Sequence, residues 1–480
     1  MGEVLTPDLC VVGAGAAGLS VAAVAASLGA SVVLVERDRM GGECLNAGCV
    51  PSKALAAAGR RQASIRGAQR FGIRVEADPV ADFAAVGAHV RGVVAAIAPN
   101  DSPQRFTAMG VRVIEGHARF TDPDTVAVGD VAIRARRTVL ATGSRPATPA
   151  IAGLDRVPFL TNETIFGLAA TPQHLIVLGG GPSGVELAQA YRRLGAPVTV
   201  LEAQPRLLAR EDPEMAAAIE RALLRDGVDL RLGVAVERVE PLELGVALFL
   251  RQNGTAERVT GSHLLVAAGR RAVTDGLGLE AAGIAVDAGG ILVDAGLRTA
   301  NRRVYAVGDC AGGAAAGYRF THVSNYHAGL VIRSALFRLP VKIDTAAIPR
   351  VTYTDPELAA VGLSEAEARA RHRAIRVLRF PFSENDRAQA ERRTAGHLKA
   401  VVTARGRILG CAVAGPHAGE LIMPWVLALS RGLRIQDLAG LVFPYPTFSE
   451  VTKRAAVEFL RPSAQSRVLR GIVGLVRRFG

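Results

Sequence analysis

The chain has only 5 cysteines and 1 tryptophan in 480 residues, and 5% of its side chains are aromatic. So few cysteines exclude a disulfide-stapled secreted scaffold. Only Cys44 and Cys49 lie near one another, and such a pair in a reducing compartment points to redox catalysis or a metal site. Cys10, Cys310 and Cys411 read as small core hydrophobes. No stretch interleaves basic and aromatic residues, so the net charge of +13 is not read as nucleic-acid binding. Residues 9–35 carry no charge, yet Glu3 and Asp8 rather than Lys or Arg precede them, which is wrong for a signal peptide. Gly13, Gly15, Gly18 and Gly29 break the run, and a strand, turn, helix and strand fits it better than a membrane span. With no targeting segment visible, a soluble cytoplasmic protein is expected.

What is present is glycine and aliphatic surface: 52 Gly, 49% hydrophobic and 21% charged residues. That balance suits α/β nucleotide-binding sheets, and the length exceeds one core, giving three or four units. Residues 8–36 (DLCVVGAGAAGLSVAAVAASLGASVVLVE) and 174–202 (HLIVLGGGPSGVELAQAYRRLGAPVTVLE) share one design. Each reads as an apolar strand, a Gly-rich turn, a helix and a second strand ending in Glu, an internal duplication of a dinucleotide-binding unit. Gly13 permits the tight turn, Gly15 lets backbone approach a pyrophosphate and Gly18 allows close helix packing, with Glu36 placed for ribose hydroxyls. Gly179, Gly181, Gly184 and Glu202 repeat the pattern, so two dinucleotides are expected. A terminal Glu repels a 2′-phosphate, so Glu202 favours NADH, and Arg206 nearby keeps NADP(H) open. VLATGSRP (139–146), LLVAAGR (264–270, with Gly269) and VYAVGDC (304–310) are further strand ends rich in small residues, where ligands of open α/β sheets bind. Beyond about residue 345, short strands such as PRVTYT and HLKAVVTA with intervening helices read as a separate α+β unit.

The segment GGECLNAGCVPSKAL (41–55) holds the cysteine pair. Zinc needs two further Cys or His ligands at matching spacing, and no metal site is expected. Redox chemistry suits the segment better. Pro51 is favoured at a helix's first position, so Cys49 is expected beside a helix N-terminus, where dipole and free N–H groups lower a thiol pKa. Lys53, one turn on, adds positive charge.

GGECLNAGCVPSK, VLATGSRP, VYAVGDC, VTYTDPELAAVGLSE (351–365) and GCAVAGPHAGELI (410–422) resemble the signature segments of class I pyridine nucleotide-disulfide oxidoreductases, the family of dihydrolipoamide dehydrogenase, glutathione reductase and mercuric reductase. The resemblance runs from about residue 8 to about residue 460. It implies two Rossmann-like domains, for FAD and NAD, and a C-terminal α+β dimerisation domain: 1–152 for FAD with the redox disulfide, 153–271 for NAD(P), 272–344 completing the FAD site, 345–462 at the dimer interface, and a basic amphipathic tail at 463–480. It further implies that Gly13, Gly15, Gly18, Glu36, Thr142, Gly143 and Asp309 hold FAD, that Cys49 faces the flavin and Cys44 exchanges with substrate, and that Lys53 pairs with Glu186. The implied partners are a disulfide or dithiol substrate and a second subunit sharing the active site.

The chain departs from that pattern near its end. Dihydrolipoamide dehydrogenase and glutathione reductase carry HPTxSE, whose His and Glu act as an acid-base dyad on the partner's disulfide. Here residues 445–450 read YPTFSE, with Tyr445 for the His and Glu450 retained. A Tyr titrates near 10 and a His near 6.5, so Tyr445 is a poor proton acceptor at neutral pH. Mercuric reductase resembles the chain in using Tyr there, but its C-terminal cysteine pair has no counterpart here. His322 and His327, in FTHVSNYHAG, lie where the family's helix passes the flavin and read as structural. The expected enzyme is an NADH-linked, FAD-dependent thiol-disulfide oxidoreductase; dihydrolipoamide dehydrogenase, mercuric reductase and an NAD(P)H:acceptor reductase are alternatives. A non-enzyme alternative is a membrane-surface or partner-binding component. It rests on the tail, where apolar residues from Val468 to Phe479 share one helical face and Arg467, Arg470, Arg477 and Arg478 the other. The tail has two open destinations, the protein's own dimer and a membrane.

Overall fold

The computed structural model describes residues 2–252, 254–464 and 466–479. Of the expected tail, Gln465 and Gly480 lie outside the described residues.

Val-rich segments make the first sheet because β-branched side chains pack well on a pleated surface buried on both faces. Its five parallel strands run in the order Val304–Ala306, Arg137–Leu140, Leu9–Val12, Val32–Glu36 and Val111–Glu115. Leu9–Val12 is central and buried along its whole length. Helix Ala16–Ser27 covers one face and packs against helix Thr321–Ala335. The segment 272–344 has no core of its own: its strand Val304–Ala306 extends the first sheet, and Leu277, Ile291, Leu297 and Val331 join the first core.

The second Gly-rich segment builds the same motif, a parallel sheet ordered Asp229–Leu232, Val198–Glu202, Leu175–Leu178 and His263–Val266. An antiparallel sheet of Ala235–Leu242, Gly245–Gln252 and Thr255–Gly261 leans on it. Strand Arg270–Ala272 then pairs with Ser144–Pro146 and links the two units beside the cleft between them.

The C-terminal unit is one antiparallel sheet, ordered Arg350–Thr352, Glu357–Gly362, Ile408–Gly415, His397–Thr403 and Ile375–Pro381. Helices Met423–Arg431 and Glu450–Ala464 cover it, and the buried indole of Trp425 donates from Nε1 to Thr452 Oγ1 at 3.2 Å. No helix among the described residues is long and apolar enough to cross a membrane.

A buried lysine joins this sheet to the second unit. Lys399 Nζ lies 2.9 Å from each of Asp212, Glu214 and Glu365, and Arg379 adds a second cation to Glu214. Asp212 also caps helix Pro213–Arg225 by accepting from Glu214 N at 3.0 Å. Burial disfavours the ammonium, but its hydrogen bonds to the three carboxylates outweigh that and raise its pKa. Removing such a cation strands its carboxylates, so Lys399→Met is expected to destabilise the protein by about 3 kcal/mol. Denaturant titration followed by Trp425 fluorescence checks this; a change under about 0.5 kcal/mol would show that the cluster contributes little.

Candidate active site

Each Gly-rich turn is shaped by the same two constraints. Gly13 and Gly179 have φ of +105° and +117°, a backbone conformation that only glycine adopts without strain. A Cβ on Gly18 would lie 1.8 Å from Gly13 O, and one on Gly184 1.9 Å from Gly179 O, so only glycine lets each helix press against its turn. Gly15 and Gly181 cap helices Ala16–Ser27 and Pro182–Arg193. A Cβ at Gly181 would meet nothing within 4 Å, which leaves the helix N-terminus open to an anion. Glu36 accepts from Ala14 N at 2.6 Å and Glu202 from Gly180 N at 2.7 Å, so each strand-end carboxylate reaches back to its own turn.

One cleft of about 2230 Å³ runs past both turns and the cysteines. It exceeds the roughly 300–1,000 Å³ of a single small-ligand pocket, as two dinucleotides require. Thr142, Gly143, Gly269 and Asp309 line it. Thr142 Oγ1 donates to Val273 O at 2.6 Å, and Asp309 accepts from Ser144 Oγ at 2.6 Å. The open helix N-termini, the glycine-lined approach and the strand-end carboxylates fit FAD and a nicotinamide dinucleotide.

The cysteines stand on two helices. Cys44 lies in Gly42–Asn46, which Asn46 braces by donating from Nδ2 to Gly42 O at 2.8 Å. Cys49 is the first residue of Cys49–Arg66, with Gly48 as cap. The sequence pattern places Pro51 at the first helical position; the helix begins two residues earlier and Pro51 is its third. The first four N–H groups of a helix lack internal partners, so proline is tolerated there and the thiol sits on the positive end itself. Cys49 is open to the cleft, and its thiol is held down to about 6. A hydrogen bond from Cys44 contributes most, burial opposes it, and the Thr321 hydroxyl and the Lys53 charge lower it further. The Cys44 thiol is pushed up, first by its hydrogen bond to Cys49 and then by burial. In the reduced pair the negative charge therefore rests on Cys49 and the proton on Cys44.

Lys53 Nζ lies 2.7 Å from Glu186 Oε2, and Glu186 Oε1 accepts from Tyr353 N at 2.9 Å. The ammonium also sits 4.3 Å from the centre of the Tyr353 ring. Glu186 belongs to helix Pro182–Arg193, so the ion pair ties the thiol-bearing helix to the second nucleotide unit.

Residues 7–328 match the pyridine nucleotide-disulphide oxidoreductase family, and residues 348–456 match that family's dimerisation domain. The chain belongs to this family. It is 36% identical to a mercuric reductase of Streptomyces lividans, over 94% of this chain and 96% of that one. It is 37% identical to dihydrolipoyl dehydrogenase 3 of Pseudomonas aeruginosa, over 94% and 97%. A solved structure, the Cu(II) complex of the HOCl-induced flavoprotein disulfide reductase RclA from Escherichia coli, superposes with a TM-score of 0.84 at 28% identity, covering 95% of this chain and 100% of that one. As a pyridine nucleotide-disulphide oxidoreductase, the protein is an FAD-containing enzyme that uses NAD(P)H, and it carries the family's dimerisation domain.

Several groups around this oxidoreductase's cysteines escape sequence reasoning. Thr321 Oγ1 stands 3.3 Å from both Cys44 Sγ and Cys49 Sγ. It precedes His322, and the histidines of that segment draw attention away from the hydroxyl. His327 is buried and held down to about 4 by that burial, so it stays neutral and its Nδ1 accepts from Gly308 N at 3.2 Å. His322 donates from Nε2 to Pro349 O at 2.9 Å. Glu43, beside Cys44, is clasped by Arg270 through both of its carboxylate oxygens and accepts from Asn162 Nδ2 at 2.6 Å. Burial lifts the Glu43 carboxyl to about 7 against the pull of Arg270. Arg270 also donates from Nε to Ser144 Oγ at 2.8 Å, joining the redox loop to Asp309 through Ser144.

Tyr445 and Glu450 stand outside this cleft. The exposed Tyr445 donates its hydroxyl to Asp386 Oδ2 at 2.8 Å. That bond raises the Tyr445 pKa, and the charges of Asp386 and Glu450 push the same way.

The thiolate assignment has a direct test in the reduced holoenzyme, whose long-wavelength thiolate absorbance is expected to be present at neutral pH. Because the Cys49 pKa is depressed, the band is expected to fade as pH falls through about 6. Thr321→Val should move that midpoint upward, Cys49→Ser should abolish the band and Cys44→Ser should keep it. Equal loss of the band in the two cysteine variants, measured by absorbance titration, would overturn the assigned roles.

Proposed function

We propose that the enzyme works as an NADH-linked reductase whose Cys44–Cys49 pair passes electrons to a small disulfide or another thiol-reactive acceptor, and that it is a poor dihydrolipoamide dehydrogenase. The observation that carries this reading is Tyr445: it occupies the dyad's His position, and its pKa is raised by the Asp386 carboxylate.

In this reading residues 1–152 and 272–344 bind FAD, 153–271 bind NADH and 345–462 form the dimer interface. Gly13, Gly15, Gly18, Glu36, Thr142, Gly143 and Asp309 cradle FAD. Gly179, Gly181, Gly184, Glu202 and Gly269 receive NADH. FAD supplies the two-electron link between nicotinamide and disulfide. The balanced reduction consumes NADH and the Cys44–Cys49 disulfide, and yields NAD⁺, the Cys44 thiol and the Cys49 thiolate. Cys44 passes its proton to the departing acceptor sulfur as its own sulfur attacks the acceptor disulfide, and Cys49 then expels the second acceptor sulfur as a thiolate, protonated by solvent, as the enzyme disulfide re-forms. Lys53, held in place by Glu186, favours the charge on Cys49 during the first half.

The reverse direction needs a base to take a proton from an incoming dithiol, and neither Tyr445 nor Glu450 supplies an imidazole. Loss of a general base costs about a hundredfold to ten-thousandfold in rate. The protein is therefore expected to oxidise dihydrolipoamide slowly at pH 7 and faster as pH rises and the substrate thiol ionises. Tyr445→His should recover at least about tenfold of the deficit at pH 7 and flatten the profile. Steady-state turnover between pH 6 and 9 checks this. Brisk wild-type turnover at pH 7, unchanged in Tyr445→Phe, would mean that another group is the base.

Glu202 supports NADH over NADPH, and Arg206 does not counter it. The Arg206 guanidinium is spent on the carbonyls of Leu208, Ala209 and Glu211, which turns it away from a 2′-phosphate. A preference for NADH of at least about tenfold in kcat/KM is expected, equivalent to about 1.4 kcal/mol of like-charge repulsion. Comparable values for the two nucleotides would contradict the role given to Glu202.

A further inference from the structure

The tail forms helix Arg467–Val476, started by Ser466, whose Oγ accepts from Leu469 N at 3.1 Å. At 3.6 residues per turn its apolar side chains occupy one arc of about 160°. Arg467, Arg470, Gly471, Gly474 and, by continuation, Arg477 and Arg478 fill the opposite arc. Val468, Leu469, Ile472, Val473, Leu475 and Val476 are all exposed, and so is Phe479. Residues 463–480 contain no Asp or Glu, and none of these four arginines meets a carboxylate among the described residues.

These features separate three occupants. Ten residues of helix rise about 15 Å, half of a bilayer's hydrocarbon thickness of about 30 Å, so the helix is too short to span and suited to lie along a surface. The match to the family's dimerisation domain ends at residue 456, so the tail lies beyond the segment that this domain covers. The rim is wholly cationic, so whatever covers this face presents a surface that is both anionic and apolar. Four guanidinium groups backing an apolar arc match the interface of a bilayer with anionic headgroups, where the charges meet phosphates and the apolar side chains enter the acyl boundary.

We propose that helix Arg467–Val476 docks the enzyme on the surface of an anionic phospholipid membrane. Two such helices per homodimer would engage together, so that each raises the effective concentration of the other at the surface. The glycines, both on the polar arc, weaken the isolated helix and make its order depend on the surface it meets.

The test is sedimentation of the full-length holoenzyme with vesicles of phosphatidylcholine alone or mixed with phosphatidylglycerol. At least about tenfold more protein is expected to pellet with the anionic vesicles, and high salt should reverse most of this. Ile472→Asp and deletion of residues 466–480 should each abolish the difference while leaving NADH-driven reduction of a soluble dye intact. Equal pelleting of full-length and truncated protein would overturn the proposal. So would an Ile472→Asp variant that shifts the dimer to monomer in a wild-type background that ignores vesicles, since a second copy would then cover this face.

Discussion

The contact between Lys53 and Glu186 holds the catalytic arrangement together, because it fastens the helix that starts at Cys49 to the helix that starts at the second Gly-rich turn. Glu186 is mostly buried and its second oxygen is taken by the Tyr353 amide, so the carboxylate has little freedom to seek another partner. Breaking such a pair leaves an uncompensated charge in a poorly solvated place. The same ammonium lies close enough to Cys49 to favour its thiolate, so one ion pair serves both packing and electron transfer. A close helix crossing supports it: a Cβ on Gly59 would come within 3.2 Å of Ala190 O.

The two thiols are chemically alike and electrostatically unlike. The hydrogen bond between them lowers Cys49 and raises Cys44; burial opposes the first shift and adds to the second. Two groups whose environments push their pKa values apart take separate roles, one holding charge and the other holding the proton. Thr321 bridges them, donating to the Cys44 sulfur and lying 3.3 Å from the Cys49 sulfur. The clasp of Arg270 on Glu43 anchors the loop that bears Cys44 from the opposite side. Between them these contacts fix the redox segment.

In the proposed function Tyr445 is the single position that redirects a shared scaffold. The family's fold, cofactors and disulfide are common to enzymes that oxidise dithiols and enzymes that reduce other acceptors, and proton handling at the dithiol separates them. Here the tyrosine is committed as a donor to Asp386, which leaves even less of it ionised at neutral pH than an isolated phenol. The acidic partner is 59 residues away in the chain and has no motif of its own.

Local chemistry is what the sequence by itself determined. Strand, turn and helix of each Gly-rich unit, the cysteine pair beside a helix start and the Tyr at 445 are all set within short windows, where steric limits on backbone and periodicity of apolar residues act directly. Pro51 shows the limit of even that reading, since the helix boundary shifted by two residues when Gly48 took the cap. Pairing of Lys53 with Glu186, 133 residues apart, was legible only through the family's pattern. Thr321 at 272 residues from Cys49 and Arg270 at 227 from Glu43 were not legible at all. Nor was the joining of Val304–Ala306 to the first sheet visible, because a three-residue strand carries no mark of its neighbour. Such contacts arise when separate cores pack and carry side chains to one place, and packing depends on the shapes of whole layers rather than on any local spacing.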